Sequence, residues 1–217
     1  MSVLVDRYEV PPIGTNCYVA RVRHAAPECV VIDPGGAAAQ LRLELARMAA
    51  KCAAILITHS HWDHLGGVAD LAEASGAPVY MPAIEAAALE RPEEFYPGTG
   101  VRPYTPDVRL QGDETIEVGG LTFETVSVPG HSPGHVAYAC DGALFSGDVL
   151  FAGSVGRTDL PFSDWETLLA SIATLLDRFP PETTIYPGHG PPTTLGDELA
   201  RNPFLAELRA ARRTAQA

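Results

Sequence analysis

Short apolar runs alternate with helical patterns along the first half of this chain, and this alternation predicts an α/β protein. The apolar runs predict four strands, at residues 16–22, 29–32, 53–58 and 79–81. Helices are predicted over residues 38–50 and 66–75. In the first of these helices Leu41, Leu45 and Met48 lie on one face, which we expect to pack against a sheet.

Two hairpins and a long helix are predicted in the second half. The hairpin turns are Gly119-Gly120, between strands at residues 115–118 and 121–128, and Asp141-Gly142, between strands at residues 136–140 and 143–145. Ser163 and Glu166 form a capping box that predicts the start of the helix. Residues 92–106 are rich in proline and glycine, which predicts a loop. Since no repeat or linker interrupts the pattern, we expect one domain over residues 1–217.

One predicted strand runs directly into the sequence His59-Ser60-His61-Trp62-Asp63-His64. Three imidazoles and a carboxylate are costly to bury without a partner, and they are good metal ligands. Three further residues of this kind, His131, Asp148 and His189, each follow an apolar strand that ends at a glycine. Glycine allows the sharp turn and the close backbone approach that a crowded site needs. The pattern therefore predicts a metal site built from loops at strand ends.

The run at residues 59–64 has the form His-x-His-x-Asp-His and is followed later by a His, an Asp and a final His. Further stretches of interest are Pro129-Gly130-His131-Ser132-Pro133-Gly134-His135, Phe145-Ser146-Gly147-Asp148, Gly156-Arg157-Thr158-Asp159 and Pro187-Gly188-His189-Gly190. On these motifs the chain resembles the metallo-β-lactamase-fold hydrolase superfamily, and it is most similar to the small glyoxalase-II-like (hydroxyacylglutathione hydrolase-like) enzymes. The resemblance implies an α/β fold, a four-layer αβ/βα sandwich, with a dinuclear metal site at one edge of its two sheets.

The resemblance also implies how the predicted ligands divide between two divalent metal ions. The first ion would take His59, His61 and His131, and the second Asp63, His64 and His189, with Asp148 bridging both. We expect Asp63 and Asp148 to contribute to catalysis as well as to metal binding. Nitrogen and oxygen donors without thiolate suit Zn²⁺, and also Fe or Mn. A purely structural zinc site is the alternative, but such sites usually close with four ligands, often cysteines.

Several residues near the predicted ligands have two interpretations each. Asp33 either orients a ligand imidazole through its free N–H or is a turn residue. His135 either plays the same orienting role or is a buried histidine satisfied by backbone. Arg157 meets an anionic substrate or pairs with Asp159. We expect Cys17 to be a packing residue, because no base is evident beside it.

Composition and charge exclude several classes of partner. A net charge of −12 repels phosphate backbones, so we expect no nucleic-acid partner. No apolar run approaches the length of a membrane span, and the start of the chain lacks the apolar stretch of a signal peptide. We therefore expect a cytoplasmic protein without a membrane partner. The four scattered cysteines are interpreted as buried thiols of a reducing compartment.

These expectations combine into a metal-dependent hydrolase that cleaves a small-molecule thioester, such as S-lactoylglutathione, with a hydroxide held by two metal ions. A thiol leaves as a thiolate with a pKa near ~8.5, so no strong general acid is needed. Glyoxalase II enzymes carry a C-terminal helical domain that helps to hold glutathione, whereas residues 190–217 provide room for one helix after His189. The sequence therefore does not identify the thiol that carries the acyl group.

The main alternative is a mononuclear-iron oxidoreductase similar to the persulfide dioxygenases. These share the scaffold and a Gly-Arg-Thr-Asp stretch but use one iron held by two His and one Asp. We favour hydrolysis because every ligand for a second metal is present. A true β-lactamase is disfavoured, since most carry Cys at the position of Asp148 or alter the histidine run. A flavodiiron-type reductase would need a carboxylate in place of His61 and a flavin domain, and a binding module would be expected to lose ligands.

Overall fold

The structure, a computed structural model, describes residues 3–215 of the chain. In this part of the chain the strands are β1 (Leu4–Val10), β2 (Thr15–Arg21), β3 (Glu28–Ile32), β4 (Lys51–Leu56), β5 (Val79–Pro82), β6 (Val108–Leu110), β7 (Thr115–Val118), β8 (Leu121–Ser127), β9 (Val136–Cys140), β10 (Ala143–Gly147), β11 (Leu150–Phe151), β12 (Ser154–Val155), β13 (Thr184–Pro187) and β14 (Thr193–Thr194). The α-helices are α1 (Ala38–Met48), α2 (Trp62–Leu65), α3 (Val68–Ser75), α4 (Ala86–Glu90), α5 (Pro92–Phe95), α6 (Trp165–Arg178), α7 (Leu195–Arg201) and α8 (Ala206–Ala215). Short 3₁₀-helices lie at Ala83–Glu85 and Pro203–Leu205.

Most of the strands belong to two six-stranded sheets. The first sheet has the order β1-β2-β3-β4-β5-β6 and the second the order β14-β13-β10-β9-β8-β7, while β11 and β12 form a separate ribbon. In the first sheet, β1, β2 and β3 are antiparallel neighbours, and β3 to β6 are parallel. In the second sheet, β10 and β13 are parallel and the other neighbours are antiparallel.

The two sheets face each other, and each carries helices on its outer face. Side chains from both sheets fill the space between them, including the fully buried Tyr18, Phe123, Tyr138 and Phe145. A second apolar cluster joins the first sheet to α1 and α3, and a third joins the second sheet to α6 and α7. Because both faces of the inner strands are covered, every position of β2, β9 and β10 is buried. The order of layers is αβ/βα, which confirms the predicted fold class.

The ends of the central strands meet at one edge of the sandwich. The backbone N–H of Asp33, just after β3, donates to the Leu56 carbonyl at the end of β4 (3.0 Å). In the second sheet, the parallel strands β10 and β13 end side by side. The backbone N–H of Asn16 donates to the Gly188 carbonyl (2.7 Å), which joins the first sheet to the loop after β13. The loops that carry the predicted ligands therefore converge at this edge.

The sequence predicts the central elements better than the edges. Both hairpins form as predicted, with Val118 opposite Leu121 and Cys140 opposite Ala143. The edge strands β1 and β6 are missing from the prediction, because β1 is largely half-exposed and β6 is only three residues long. The predicted loop over residues 92–106 begins with the short helix α5, which opens on a proline.

Two predictions at helix ends are wrong. The cap of α6 is Asp164, whose carboxylate accepts the backbone N–H of Thr167 (2.8 Å), whereas the Ser163 hydroxyl donates to the Leu160 carbonyl (2.7 Å). After His189 the chain forms α7 and α8 instead of one helix. The helix breaks there because a proline follows Asn202, and the residue before a proline disfavours helical backbone.

Candidate metal centre

All seven predicted ligands meet at the edge where the two sheets join. Their ligand atoms form three groups, each within 4.8 Å: His59, His61 and His131; His59, His64 and Asp148; and Asp63, His64 and His189. The first sheet supplies the run that follows β4, and the second sheet supplies the other three residues from loops after β8, β10 and β13. The strand-end pattern in the sequence thus corresponds to one cluster in space.

The first triad consists of His59, His61 and His131. His61 Nδ1 lies 3.0 Å from His59 Nε2 and 2.9 Å from His131 Nε2. His59 and His131 are buried, and the rings of this triad stand nearly perpendicular to one another. Three imidazole nitrogens therefore point at a common position.

The second triad consists of Asp63, His64 and His189. Asp63 Oδ2 lies 3.3 Å from His64 Nε2 and 3.3 Å from His189 Nε2. The His64 side chain is fully buried, while 29% of the His189 side chain is exposed. This triad offers one carboxylate and two imidazoles, again directed at one position.

Asp148 lies between the two triads. Its Oδ1 is 3.4 Å from His64 Nε2, and its Oδ2 is 3.5 Å from both His131 Nε2 and His189 Nε2. One carboxylate therefore approaches ligands of both groups. Asp148 is therefore placed to contact both predicted ions, and the bridging role that the resemblance implies stays a prediction.

A second layer of contacts fixes which nitrogen the imidazoles of His59, His64 and His131 present. Asp33 Oδ2 accepts from His64 Nδ1 (3.0 Å) and from the Thr58 hydroxyl (2.7 Å), which in turn accepts from His59 Nδ1 (3.0 Å). The Arg157 carbonyl accepts from His131 Nδ1 (2.9 Å). These contacts assign the proton to Nδ1 and leave each Nε2 lone pair directed into the cluster. Asp33 therefore lies where the orienting interpretation requires.

The other uncertain residues also have defined contacts. His135 Nε2 accepts the backbone N–H of Asp148 (3.1 Å), and its ring stacks on His59 at 4.6 Å. It therefore contacts the backbone of Asp148 and, among the described residues, bonds to no ligand imidazole. Arg157 pairs with Asp159 through two contacts, of 2.7 and 2.8 Å. Cys17 is buried, and burial raises the pKa of its thiol, as a packing residue requires.

The pKa values of His59, His61 and Asp63 are shifted toward the protonation states that metal binding requires, whereas the pKa values of His64 and His189, which burial alone would lower, are raised by nearby carboxylates. Burial lowers the pKa of His61 to about 4, and burial together with neighbouring imidazoles lowers the pKa of His59. Both rings are therefore neutral near pH 7, which ligation requires. Burial alone would raise the pKa of Asp63, but the hydrogen bond from His189 and the nearby His64 lower it to about 2. Asp63 is therefore a carboxylate at neutral pH.

A metal ion fits this arrangement better than the bare side chains do. Within residues 3–215, the buried atoms His64 Nε2 and Asp148 Oδ1 have no hydrogen-bond partner. A buried polar atom without a partner costs about 1–3 kcal/mol, and coordination of a cation would remove that cost. Seven nitrogen and oxygen donors without thiolate also exceed the four ligands of a closed structural zinc site.

Glycines allow the backbone to pack directly against the ligands. A Cβ at Gly188 would lie 2.0 Å from Asp148 Oδ1 and 2.8 Å from His64 Cε1. A Cβ at Gly156 would lie 1.8 Å from the Asp148 carbonyl oxygen. Any larger residue at either position would displace Asp148.

Two supporting residues escaped the sequence analysis. The Thr15 hydroxyl donates to Asp63 Oδ2 (2.6 Å) from the start of β2. The buried carboxylate of Glu85 accepts the backbone N–H of Ser60 (2.5 Å) and that of Gly134 (2.7 Å), so it ties two ligand loops together. A signal for Glu85 exists in the sequence, since it is a lone acid in the apolar stretch at residues 81–89.

The metal centre opens into a cavity of about 890 Å³. Its wall contains aromatic and aliphatic side chains, and five of the seven predicted ligands lie at its floor: His61, Asp63, His131, Asp148 and His189. The wall includes the apolar residues Ile13, Phe95 and Phe162, together with the polar or charged residues Glu94, Tyr96 and Arg157. A concave, mainly apolar pocket with a few convergent polar groups is the usual form of a small-molecule site.

The sequence profile of the metallo-beta-lactamase superfamily matches residues 10–189. The chain belongs to this superfamily. Among curated relatives, "Probable metallo-hydrolase YqgX" of Bacillus subtilis is 37% identical, over 92% of this chain and 96% of the relative. "Hydroxyacylglutathione hydrolase GloC" of Haemophilus influenzae is 34% identical, over 81% of this chain and 86% of the relative. Membership of this metallo-hydrolase superfamily supports a metal-dependent hydrolase.

Among the solved structures that resemble this superfamily member, two align with it over nearly its whole length. The structure described as BLEG-1 B3 metallo-beta-lactamase is 38% identical with a TM-score of 0.88, over 94% of this chain and 100% of that one. The structure described as TTHA1623 in a di-iron-bound form is 39% identical with a TM-score of 0.79, over 92% of this chain and 100% of that one. In the described part of this chain, no helix is both long and apolar enough to span a membrane.

Proposed function

We propose that this protein hydrolyses a small-molecule thioester at a centre of two divalent metal ions. The observation that carries the proposal is the pair of ligand triads joined by Asp148 at the floor of a mainly apolar cavity. The similarity to a hydroxyacylglutathione hydrolase supports the thioester class, with S-lactoylglutathione as the reference substrate.

We infer that His59, His61 and His131 hold one ion, that Asp63, His64 and His189 hold the other, and that Asp148 touches both. When bound, two such ions supply a Lewis acid and lower the pKa of water toward ~7. The nitrogen and oxygen donors favour Zn²⁺, while the di-iron form of a similar structure supports iron as an alternative.

The protein's own residues orient and shield the reacting groups. Asp33 and Thr58 hold the His59 and His64 rings, so that each presents Nε2. Asp63 is held by the Thr15 hydroxyl and is expected to orient the attacking water with Asp148. Burial raises the pKa of Tyr96, so its phenol is a neutral hydrogen-bond donor on the cavity wall. A thiolate leaving group, with a pKa near ~8.5, requires no strong acid from this wall.

A substrate screen with defined metals tests the proposal. The protein is loaded with Zn²⁺, Fe²⁺ or Mn²⁺, its metal content is measured, and it is assayed with S-lactoylglutathione. Release of free thiol without oxygen uptake is the expected result. Oxygen uptake with glutathione persulfide, together with negligible thioester cleavage by any metal form, would instead support an iron oxidoreductase. A β-lactam belongs in the screen, because one similar structure is described as a metallo-beta-lactamase.

We also propose that the partner is a small molecule and that the protein is cytoplasmic. The net charge of −12 opposes a phosphate-rich partner, and the cavity volume suits a small molecule. All four cysteines are buried free thiols, which suits the reducing cytoplasm.

A further inference from the structure

The cavity over the metal centre has an apolar mouth. Ile13, Phe95 and Phe162 line it and are 54%, 47% and 85% exposed. They are half of the six large apolar side chains that are exposed within residues 3–215. They come from three separate segments: the turn between β1 and β2, the end of α5, and the loop before α6. An exposed apolar patch gathered from distant segments around one cavity marks a binding surface.

Phe162 is held in a backbone conformation that its side chain disfavours. Its φ is 65°, in the left-handed region that glycine adopts readily and bulky residues avoid. Because Phe162 is also 85% exposed, packing within the chain does not explain a large aromatic residue there. Strained residues of this kind cluster at ligand-binding positions. The strain therefore points to a contact with a bound molecule.

The charged side chains of the cavity wall already have partners. Apart from the predicted ligands, the wall contains one cation, Arg157, and one acid, Glu94. Arg157 pairs with Asp159 through both carboxylate oxygens, at 2.7 and 2.8 Å. Glu94 pairs with Arg91 at 2.7 Å. In the described wall, no unpaired cation is thus available to receive the carboxylates of a ligand.

We propose that the centre acts on acyl-thiols in which neither the acyl arm nor the thiol arm carries a charge, and that an apolar acyl arm lies against Phe95 and Phe162. The thioester part of this proposal rests on the function proposed above. A glutathione arm carries two carboxylates and an ammonium group, which would lose water against apolar side chains without gaining a partner. An alkyl or aryl arm would instead remove apolar area from water on both sides. In the reaction, water adds its oxygen to the acyl carbon, the carbon–sulfur bond breaks, and the thiolate leaves and takes up a proton.

Equilibrium binding of thioethers, which are not cleaved, tests the two arms independently of catalysis. The S-alkyl group stands for the acyl arm, and N-acetylcysteamine or glutathione is the thiol arm. Calorimetry on the metal-loaded protein compares S-hexyl-N-acetylcysteamine with its S-methyl analogue and with S-hexylglutathione. We expect the uncharged hexyl compound to bind at least tenfold more tightly than the methyl compound, and more tightly than S-hexylglutathione. Equal or tighter binding of S-hexylglutathione would overturn the proposal.

Phe162→Gly is the decisive variant, because glycine relieves the strain while the aromatic contact is lost. We expect the hexyl-over-methyl preference to fall about fivefold or more, with a melting temperature that is unchanged or higher. Leu43→Ala is the matched control, since Leu43 is 63% exposed on α1 and does not line the cavity. A Phe162→Gly protein that kept the full preference would contradict the assignment.

Kinetics separate this inference from the proposed function. The hexanoyl thioesters of N-acetylcysteamine and of glutathione are compared by kcat/KM, each corrected for its reactivity with hydroxide. A higher value for the uncharged thioester supports both proposals. If neither thioester is cleaved while the binding order holds, the hydrolase proposal fails and the apolar arm stands. A higher value for the glutathione thioester overturns the preference for an uncharged thiol arm, and with it the proposal, and leaves the hydrolase in place.

Discussion

Asp33 is linked by hydrogen bonds to two predicted ligands from behind the cluster. Its carboxylate accepts from His64 directly and from His59 through the Thr58 hydroxyl. Such a carboxylate fixes the tautomer of an imidazole and raises its basicity toward a metal. The sequence alone does not decide whether Asp33 orients a ligand imidazole or is a turn residue. The structure contains the geometry of both, because Asp33 has a φ of 49° and its carboxylate also bonds to His64, and the orienting role stays a prediction.

Asp33→Asn tests the orienting role without disturbing the backbone. Asparagine tolerates the left-handed region, but its amide removes the charge and can direct a donor toward His64 Nδ1. We expect metal affinity to fall about 10–100-fold, measured by competition with a chelator. Asp141→Asn is the control, because Asp141 has a φ of 46° and is exposed in a hairpin turn. Unchanged affinity in Asp33→Asn would assign Asp33 to the turn alone.

His189→Ala tests the second triad at its least buried member. His64 is fully buried and Asp63 is bonded to Thr15, so replacing either would also disturb packing. We expect His189→Ala to lose one of two metal ions and at least a hundredfold in hydrolysis rate. Metal analysis and single-substrate kinetics measure both effects, with the exposed His24→Ala as control. Near-normal turnover with one ion would contradict the role of this triad.

At the scale of elements, the seven side chains of the cluster can be found in the sequence because each follows a buried strand. Apolar runs and terminal glycines are local signals, so His131, Asp148 and His189 can be located without a structure. Glu85 cannot be placed in this way, because its partners Ser60 and Gly134 are 25 and 49 residues away along the chain. The edge strand β1 is equally difficult to predict from the sequence, since its side chains are mostly half-exposed and lack a clear apolar face.

Glu85→Gln tests the link between the two ligand loops. A carboxylate accepts two backbone N–H groups, whereas an amide offers one oxygen and leaves one buried N–H unpaired. We expect a loss of about 1–3 kcal/mol of stability and weaker metal binding, measured by thermal unfolding and chelator competition. Glu73→Gln is the control, because Glu73 is exposed and pairs with Arg102 at the surface. A stability loss with unchanged metal affinity would limit Glu85 to a structural role.

At the scale of the whole molecule, the apolar clusters and the metal centre occupy different places. The clusters lie between the sheets and under the outer helices, while the ligands lie at the edge of the sandwich. The metal-free chain is therefore expected to keep its fold, since its apolar core involves none of the ligands. The sequence pattern predicts the α/β class because the inner strands are continuous apolar runs and the outer helices have one apolar face. The four-layer arrangement is implied by the resemblance to the superfamily. The sequence pattern cannot predict how the sheets join, which depends on contacts such as Asn16 with Gly188.

Metal binding should then stabilise the molecule without being required for folding. An ion that binds only the folded chain adds about 2.7 kcal/mol at a free concentration of ~100 times its Kd. For a chain of this size, each kcal/mol raises the melting temperature by about 2–4 °C. We expect the melting temperature of chelator-stripped protein to rise as Zn²⁺ is added and to level off at two equivalents per chain. Far-ultraviolet circular dichroism should be the same before and after addition. A plateau at one equivalent would remove the dinuclear centre, and an unfolded stripped protein would show that the apolar clusters alone do not sustain the fold.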